Sequence, residues 1–192
     1  MRRQALDPTT ARATARVCIE PLAQQHFEGV RAALDTVARE RKFLAFTEAP
    51  TRRQSFAFYR SIIAGNGWQY VAVAGGQVLG WCDVLRQHGQ ARTHVGTLGI
   101  GLIAAARHQG IGEQLMRTTI ARALQNGITR IELTVRVDNT NARALYERLG
   151  FVHEGRMHRA FRIDGIYYDS DAMALVRDGA PTQWPTDISL TP

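Results

Sequence analysis

The stretch ARHQGIGEQLM, residues 106–116, sets two basic side chains, Arg107 and His108, and two glycines, Gly110 and Gly112, where an amphipathic helix begins. The apolar positions Ile111, Leu115, Met116, Ile120 and Leu124 recur at three- and four-residue steps. That spacing predicts about four helical turns with one buried face. No Ser, Thr, Asp or Asn stands just before the helix to cap its first amides, so those donors are left for a ligand. Glycines keep side-chain bulk away from a large anion, and the positive end of the helix dipole favours negative charge. The expected guest is a phosphate.

Spacing narrows the choice of phosphate ligand. A nucleotide P-loop needs Gly-Lys-Ser/Thr, and Gly112 is followed by Glu113 and Gln114. A dinucleotide fingerprint needs a third small residue where Leu115 stands, although Glu132 lies at the distance expected of a ribose-binding acid. The element order also opposes it, because a hairpin rather than a βαβ crossover precedes the glycines.

The elements that must position this turn alternate between helix and strand. Residues 13–22 read as a first strand ended by Pro21, and helices are predicted at about 23–40 and 52–64. Two β-rich runs joined by Gly75-Gly76 predict a hairpin, and "RTHVGTLGIGLI" a fourth strand in which Gly99 and Gly101 mark a bulge or a close backbone approach. After the glycine helix come a fifth strand at 129–137, a short helix "NARALYERLG" and a last hairpin over 151–176 turning at "IDG". The expected organisation is a polar arm (1–13), one domain (14–177) and a tail (178–192).

The 192 residues, 45% hydrophobic, suffice for one well-packed domain. The formal charge is +7, but the basic residues, all but Lys42 arginines, are scattered rather than clustered, which argues against nucleic acid and suits an anionic small ligand. Cys18 and Cys82 are far apart, without metal-ligand spacing, and are expected as buried reduced thiols. There is no apolar leader and no run long enough to span a membrane, so a cytoplasmic protein is expected.

A third spacing fits the glycine turn. Arg107-His108-Gln109-Gly110-Ile111-Gly112 matches R/Q-x-x-G-x-G/A, and Asn139-x-x-Ala142-x-x-Leu145-Tyr146, closing on Leu149-Gly150-Phe151, matches a second signature at the right distance. Together they resemble the GNAT superfamily of N-acetyltransferases, with "RIELTVRVDN" and "FRIDGIYYDSDAMAL" most similar to the branch acting on amino acids and ribosomal proteins. The resemblance implies a mixed α/β fold. Its twisted sheet of six to seven strands would be mainly antiparallel, split between strands four and five, and flanked by about four helices.

It further implies acetyl-CoA as co-substrate, its pantetheine on the strand-four edge at Ile100, Gly101 and Leu102. The pyrophosphate would lie within the amides of His108, Gln109, Gly110, Ile111 and Gly112, with Glu113 at the turn's end and charge from Arg107 and His108. Asn139 matches a cofactor-contacting asparagine and also reads as a helix cap. Tyr146 matches the tyrosine facing the sulfur; hydrogen bonding to the leaving thiolate comes before full protonation, which is uphill by about 2 kcal/mol at ordinary pKa values. The reaction implied is direct attack by a neutral primary amine on the thioester.

Two positions that often carry a glutamate base are Thr97 and Thr134. Glu132, on the same strand face as Thr134, is the expected substitute, with His94 and a water relay as weaker ones. The expected acceptor is the α-amine of an amino acid or peptide. A homodimer, a non-catalytic acyl-CoA-binding module and a nicotinamide-dependent oxidoreductase remain open at this point.

Overall fold

The computed structural model describes residues 16–177; the arm and tail expected at the ends lie outside them. Seven strands form one sheet: β1 (Cys18–Pro21), β2 (Gly67–Ala74), β3 (Gln77–Arg86), β4 (Val95–Leu102), β5 (Arg130–Arg136), β6 (Val152–Ile163) and β7 (Ile166–Val176). Their order across the sheet is β1-β2-β3-β4-β5-β7-β6. Neighbours are antiparallel except β4 and β5, which run parallel. Helices α1 (Phe27–Arg39) and α2 (Arg52–Ser61) precede the first hairpin, α3 (Ile111–Gln125) joins β4 to β5, and α4 (Thr140–Arg148) follows β5.

Local chemistry explains the turns. Gly75 and Gly76 have φ of 55° and 78°, the left-handed pair that a two-residue hairpin turn requires. The second predicted helix stops at Ser61 and gives way to a wider turn, Ile62–Asn66, containing Gly65 at φ 105°. The β3–β4 register runs without a shift, so Gly99 and Gly101 mark close approaches and not a bulge. A methyl group at Gly101 would run into the Trp81 indole.

Alternation on β5 buries Ile131, Leu133 and Val135 on one face and turns Glu132 and Thr134 to the other. The buried face packs against Leu115, Met116 and Ile120 of α3 and Tyr146 and Leu149 around α4. Across the sheet, Phe27, Val30 and Val37 of α1 and Tyr59 of α2 cover Val71 and Trp81. Phe27 anchors that layer, its ring 5.2 Å from Phe56 and 5.3 Å from Tyr59. Cys82 is buried as expected, but Cys18 is exposed because β1 is a short edge strand; both thiols are free.

Candidate active site

Strands β4 and β5 pair only at Val95–Arg130, Gly96–Ile131 and Thr97–Glu132, while β4 stays paired with β3 up to Leu102. From Leu98 onward the β5 side of β4 is therefore an open edge, and the sheet splits there. Ile103 N–H donates to Leu79 O, on the β3 side. Because backbone groups alternate along a strand, those of Ile100 and Leu102 face the split and those of Gly101 face β3. Gly101 contributes the space that the Trp81 ring fills.

The split widens toward the start of α3. Gly110 caps this helix at φ 76° with no side-chain hydrogen bond. The first helical amide to find a backbone acceptor is Gln114, which donates to Gly110 O, and none of the amides from His108 to Glu113 donates to another backbone group among the described residues. A Cβ on Gly110 would have nothing within 4 Å, whereas one on Gly112 would touch Leu102 and Leu145. Gly110 thus keeps a concavity open, and Gly112 lets α3 start close to β4 and α4. Converging amides at a positive helix end form a phosphate cradle.

The side chains around this turn are less free than the backbone. Arg107 Nε donates to Leu102 O, and its two terminal nitrogens bind Glu40 at 2.9 and 2.6 Å, tying the end of α1 to the end of β4. Arg107 is a strut here and not a loose counter-charge. Gln109 donates to Ala105 O, and Glu113 pairs with Arg117. His108 is exposed, at φ 61°.

Helix α4 is fixed from both ends. Asn139 Oδ1 accepts from Ala142 N at 3.3 Å, and Arg143 reaches the fully buried Asp171 of β7 at 3.2 Å, beside Arg156 at 3.0 Å. These contacts place Tyr146 in the core with its ring 6.0 Å from Phe151 and its side chain 7% exposed. Burial pushes the phenol's pKa further up, with the Cys82 sulfur adding to it. The hydroxyl is a proton donor and not a phenolate.

The other face of the sheet holds a cavity beside the split. Thr134 lines a cavity of about 300 Å³ with Leu44, Ala45, Met157, Ala160, Phe161 and Arg162. The loop forming one wall is held by Arg31 on Pro50 O, Asp35 on Ala49 N and Arg136 on Lys42 O. Thr97 accepts a hydrogen bond from Gln87. Both oxygens of Glu132 are engaged, one by Arg92 at 3.0 Å and one by Arg130 at 2.8 Å. His94 lies in the turn before β4, exposed, not on the strand.

Sequence reasoning passed over a buried polar group on this face. Asp83 of β3 is 7% exposed, Gln69 of β2 4% and Tyr59 of α2 2%. The Gln69 amide and the Tyr59 hydroxyl have no hydrogen-bond partner among the described residues. The signal in the sequence was one aspartate inside the apolar run "WCDVL".

The chain is 35% identical over 111 residues to L-amino acid N-acetyltransferase AaaT of Escherichia coli, covering 57% of this chain and 68% of that protein. It is 41% identical over 81 residues to spermidine N(1)-acetyltransferase of Vibrio cholerae, covering 40% of this chain and 46% of that one. The fold matches that of yncA from Salmonella typhimurium, solved with its cofactor acetyl-CoA. The TM-score is 0.81 at 14% identity, over 89% of this chain and 99% of the other. The profile of the acetyltransferase (GNAT) family matches residues 32–151, from α1 through the split and the glycine turn to the end of α4. That match sets the nicotinamide reading aside, and the chain belongs to the GNAT family of acetyltransferases, which transfer acetyl from acetyl-CoA.

Proposed function

We propose that the acceptor is the α-amine of a molecule that also carries a carboxylate, a free amino acid or a peptide that presents one. The likeness to L-amino acid N-acetyltransferase AaaT supports this reading, and the observation that carries it is Arg162, the one charged residue among those lining the cavity over Thr134. Its guanidinium lies 5.5 Å from the Tyr167 ring and has no carboxylate partner among the described residues. A planar guanidinium suits a carboxylate and repels an ammonium group. A polyamine such as the substrate named for the Vibrio relative would meet a like charge there.

The amides of His108 to Glu113 would bind the pyrophosphate, the free edge at Ile100 and Leu102 the pantetheine arm, and Tyr146 the leaving sulfur. Asn139 serves chiefly to cap and place α4. The chemistry of the amine agrees with the carboxylate reading. Deprotonation at pH 7 costs the α-amino group of a peptide about 1 to 1.4 kcal/mol and a lysine side chain about 4.6. The dependence on acetyl-CoA and the lack of any helix long and apolar enough to cross a membrane among the described residues agree with a cytoplasmic enzyme.

The test compares amino acids with the amines left after removing their carboxylate. Arg162→Gln should raise KM for the amino acid about tenfold, the loss of roughly one charged hydrogen bond, and leave KM for the decarboxylated amine unchanged. Equal changes for both acceptors would remove Arg162 from substrate recognition.

A further inference from the structure

The face of the sheet that meets the acceptor has lost the acid from its usual places on β4 and β5, yet it still holds a carboxylate. Register pairs Asp83 with Gly99, Trp81 with Gly101 and Leu85 with Thr97, so Asp83 shares the face of Thr97 and Glu132. Gly99 is the second residue past the last β4–β5 pair, at the apex of the split. A methyl group on Gly99 would stand 3.1 Å from Asp83 Oδ1 and 3.4 Å from Oδ2. The carboxylate therefore lies over a bare stretch of β4, where any other residue would cover it.

We propose that Asp83 is the general base of the reaction, taking the acceptor's ammonium proton across the open surface of Gly99. This rests on the acetyl donor lying in the split and not on which amine is the acceptor. The ammonium proton passes to the carboxylate, and the freed nitrogen lone pair forms the N–C bond. The C–S bond breaks with its electron pair on sulfur. The second nitrogen proton goes to the thiolate, and Asp83 releases its own to solvent, leaving amide and thiol.

The surroundings fit a base and not a structural ion. From β2 the group is faced by the neutral Gln69 amide, from β4 by Gly99 alone, and from α2 by the Tyr59 phenol, itself pushed up to about 12 by burial. Arg31 of α1 acts on Tyr59 and is bonded to Pro50 O, and Cys82 points through the other face toward α3 and α4. No arginine, lysine or histidine pairs with Asp83 among the described salt bridges, in contrast to Glu132 with two arginines. Burial pushes the Asp83 carboxyl up to about 7, opposed by a hydrogen bond from Trp81. A base works best when its pKa lies near the working pH. The Gln69 side-chain amide, across from Asp83 on β2, has no hydrogen-bond partner among the described residues and is free to bond the carboxyl or a water beside it.

The experiment is the pH profile of kcat/KM for wild type and Asp83→Asn, with thermal melting and acetyl-CoA affinity measured on both. Asp83→Asn should fold and bind acetyl-CoA as wild type does, and lose about 10²- to 10⁴-fold in kcat/KM at pH 7. Its acidic limb, near the pKa of the carboxyl in wild type, should disappear, so that the rate follows the amine's own ionisation. A wild-type profile in Asp83→Asn, with the limb lost instead in Glu132→Gln, would overturn the proposal. Should Asp83→Asn fail to fold, Gly99→Ala gives the second reading. Its methyl group crowds water from the carboxylate and should move the acidic limb to higher pH, and an unmoved limb overturns the assignment.

Discussion

Replacing Gly110 by aspartate should weaken acetyl-CoA binding by about a hundredfold or more, while asparagine at the same place should cost tenfold less than aspartate. The pair isolates charge from shape. Gly110 sits at φ 76°, a left-handed conformation that asparagine and aspartate tolerate better than other side chains. Its Cβ would enter open space, so neither variant disturbs the packing of α3. Only aspartate adds a negative charge among the free amides at the positive end of α3. The difference should shrink as salt rises, because the site opens to solvent. Calorimetric titration of the two variants at low and high salt measures it; equal affinities would mean that the diphosphate lies elsewhere.

Tyr146→Phe should lower kcat by roughly ten- to a thousandfold with acetyl-CoA affinity unchanged, the usual scale of one acid–base contact. Phenylalanine keeps the ring against Phe151 and removes only the hydroxyl. Because burial raises the phenol's pKa, Tyr146 stays protonated across the neutral range and acts as a donor throughout. The defect should accordingly be the same at each pH between about 6 and 9. Stopped assays of thiol release over that range check it. Wild-type turnover would leave Tyr146 as a core aromatic alone, and a defect confined to one end of the range would point to a different proton role.

What the sequence disclosed was what short-range chemistry dictates. The uncapped glycine start of α3, the Gly75-Gly76 turn and the period-two pattern of β5 depend on neighbours within a few residues, and all are present in the fold. What it concealed depends on partners far along the chain. Arg107 looked available for phosphate because its partner Glu40 lies 67 residues away. Glu132 looked like a free acid because Arg92, which takes one of its oxygens, comes from a loop 40 residues earlier. Cys18 looked buried because strand composition does not reveal which strand is at the edge. Asp83 went unnoticed since its significance lies in facing a glycine on another strand, a relation fixed by sheet register. Family resemblance supplied the roles of Tyr146 and the β4 edge; the residues alone supplied the phosphate cradle.

The central claim, acetyl transfer from acetyl-CoA to an α-amine, is tested most directly by coenzyme A thiol release with a matched acceptor pair. In a lysylglycine pair, the form blocked at the lysine ε-nitrogen presents only the peptide α-amine, and the form blocked at the α-nitrogen presents only the ε-amine, with the carboxylate retained in both. At pH 7 the two differ by about 3 kcal/mol in the cost of deprotonation. The ε-blocked form should therefore turn over faster by about a hundredfold, and the gap should narrow as pH rises toward the ε-amine's pKa. Faster acetylation of the α-blocked form, or thiol release that does not depend on any amine, would contradict the account.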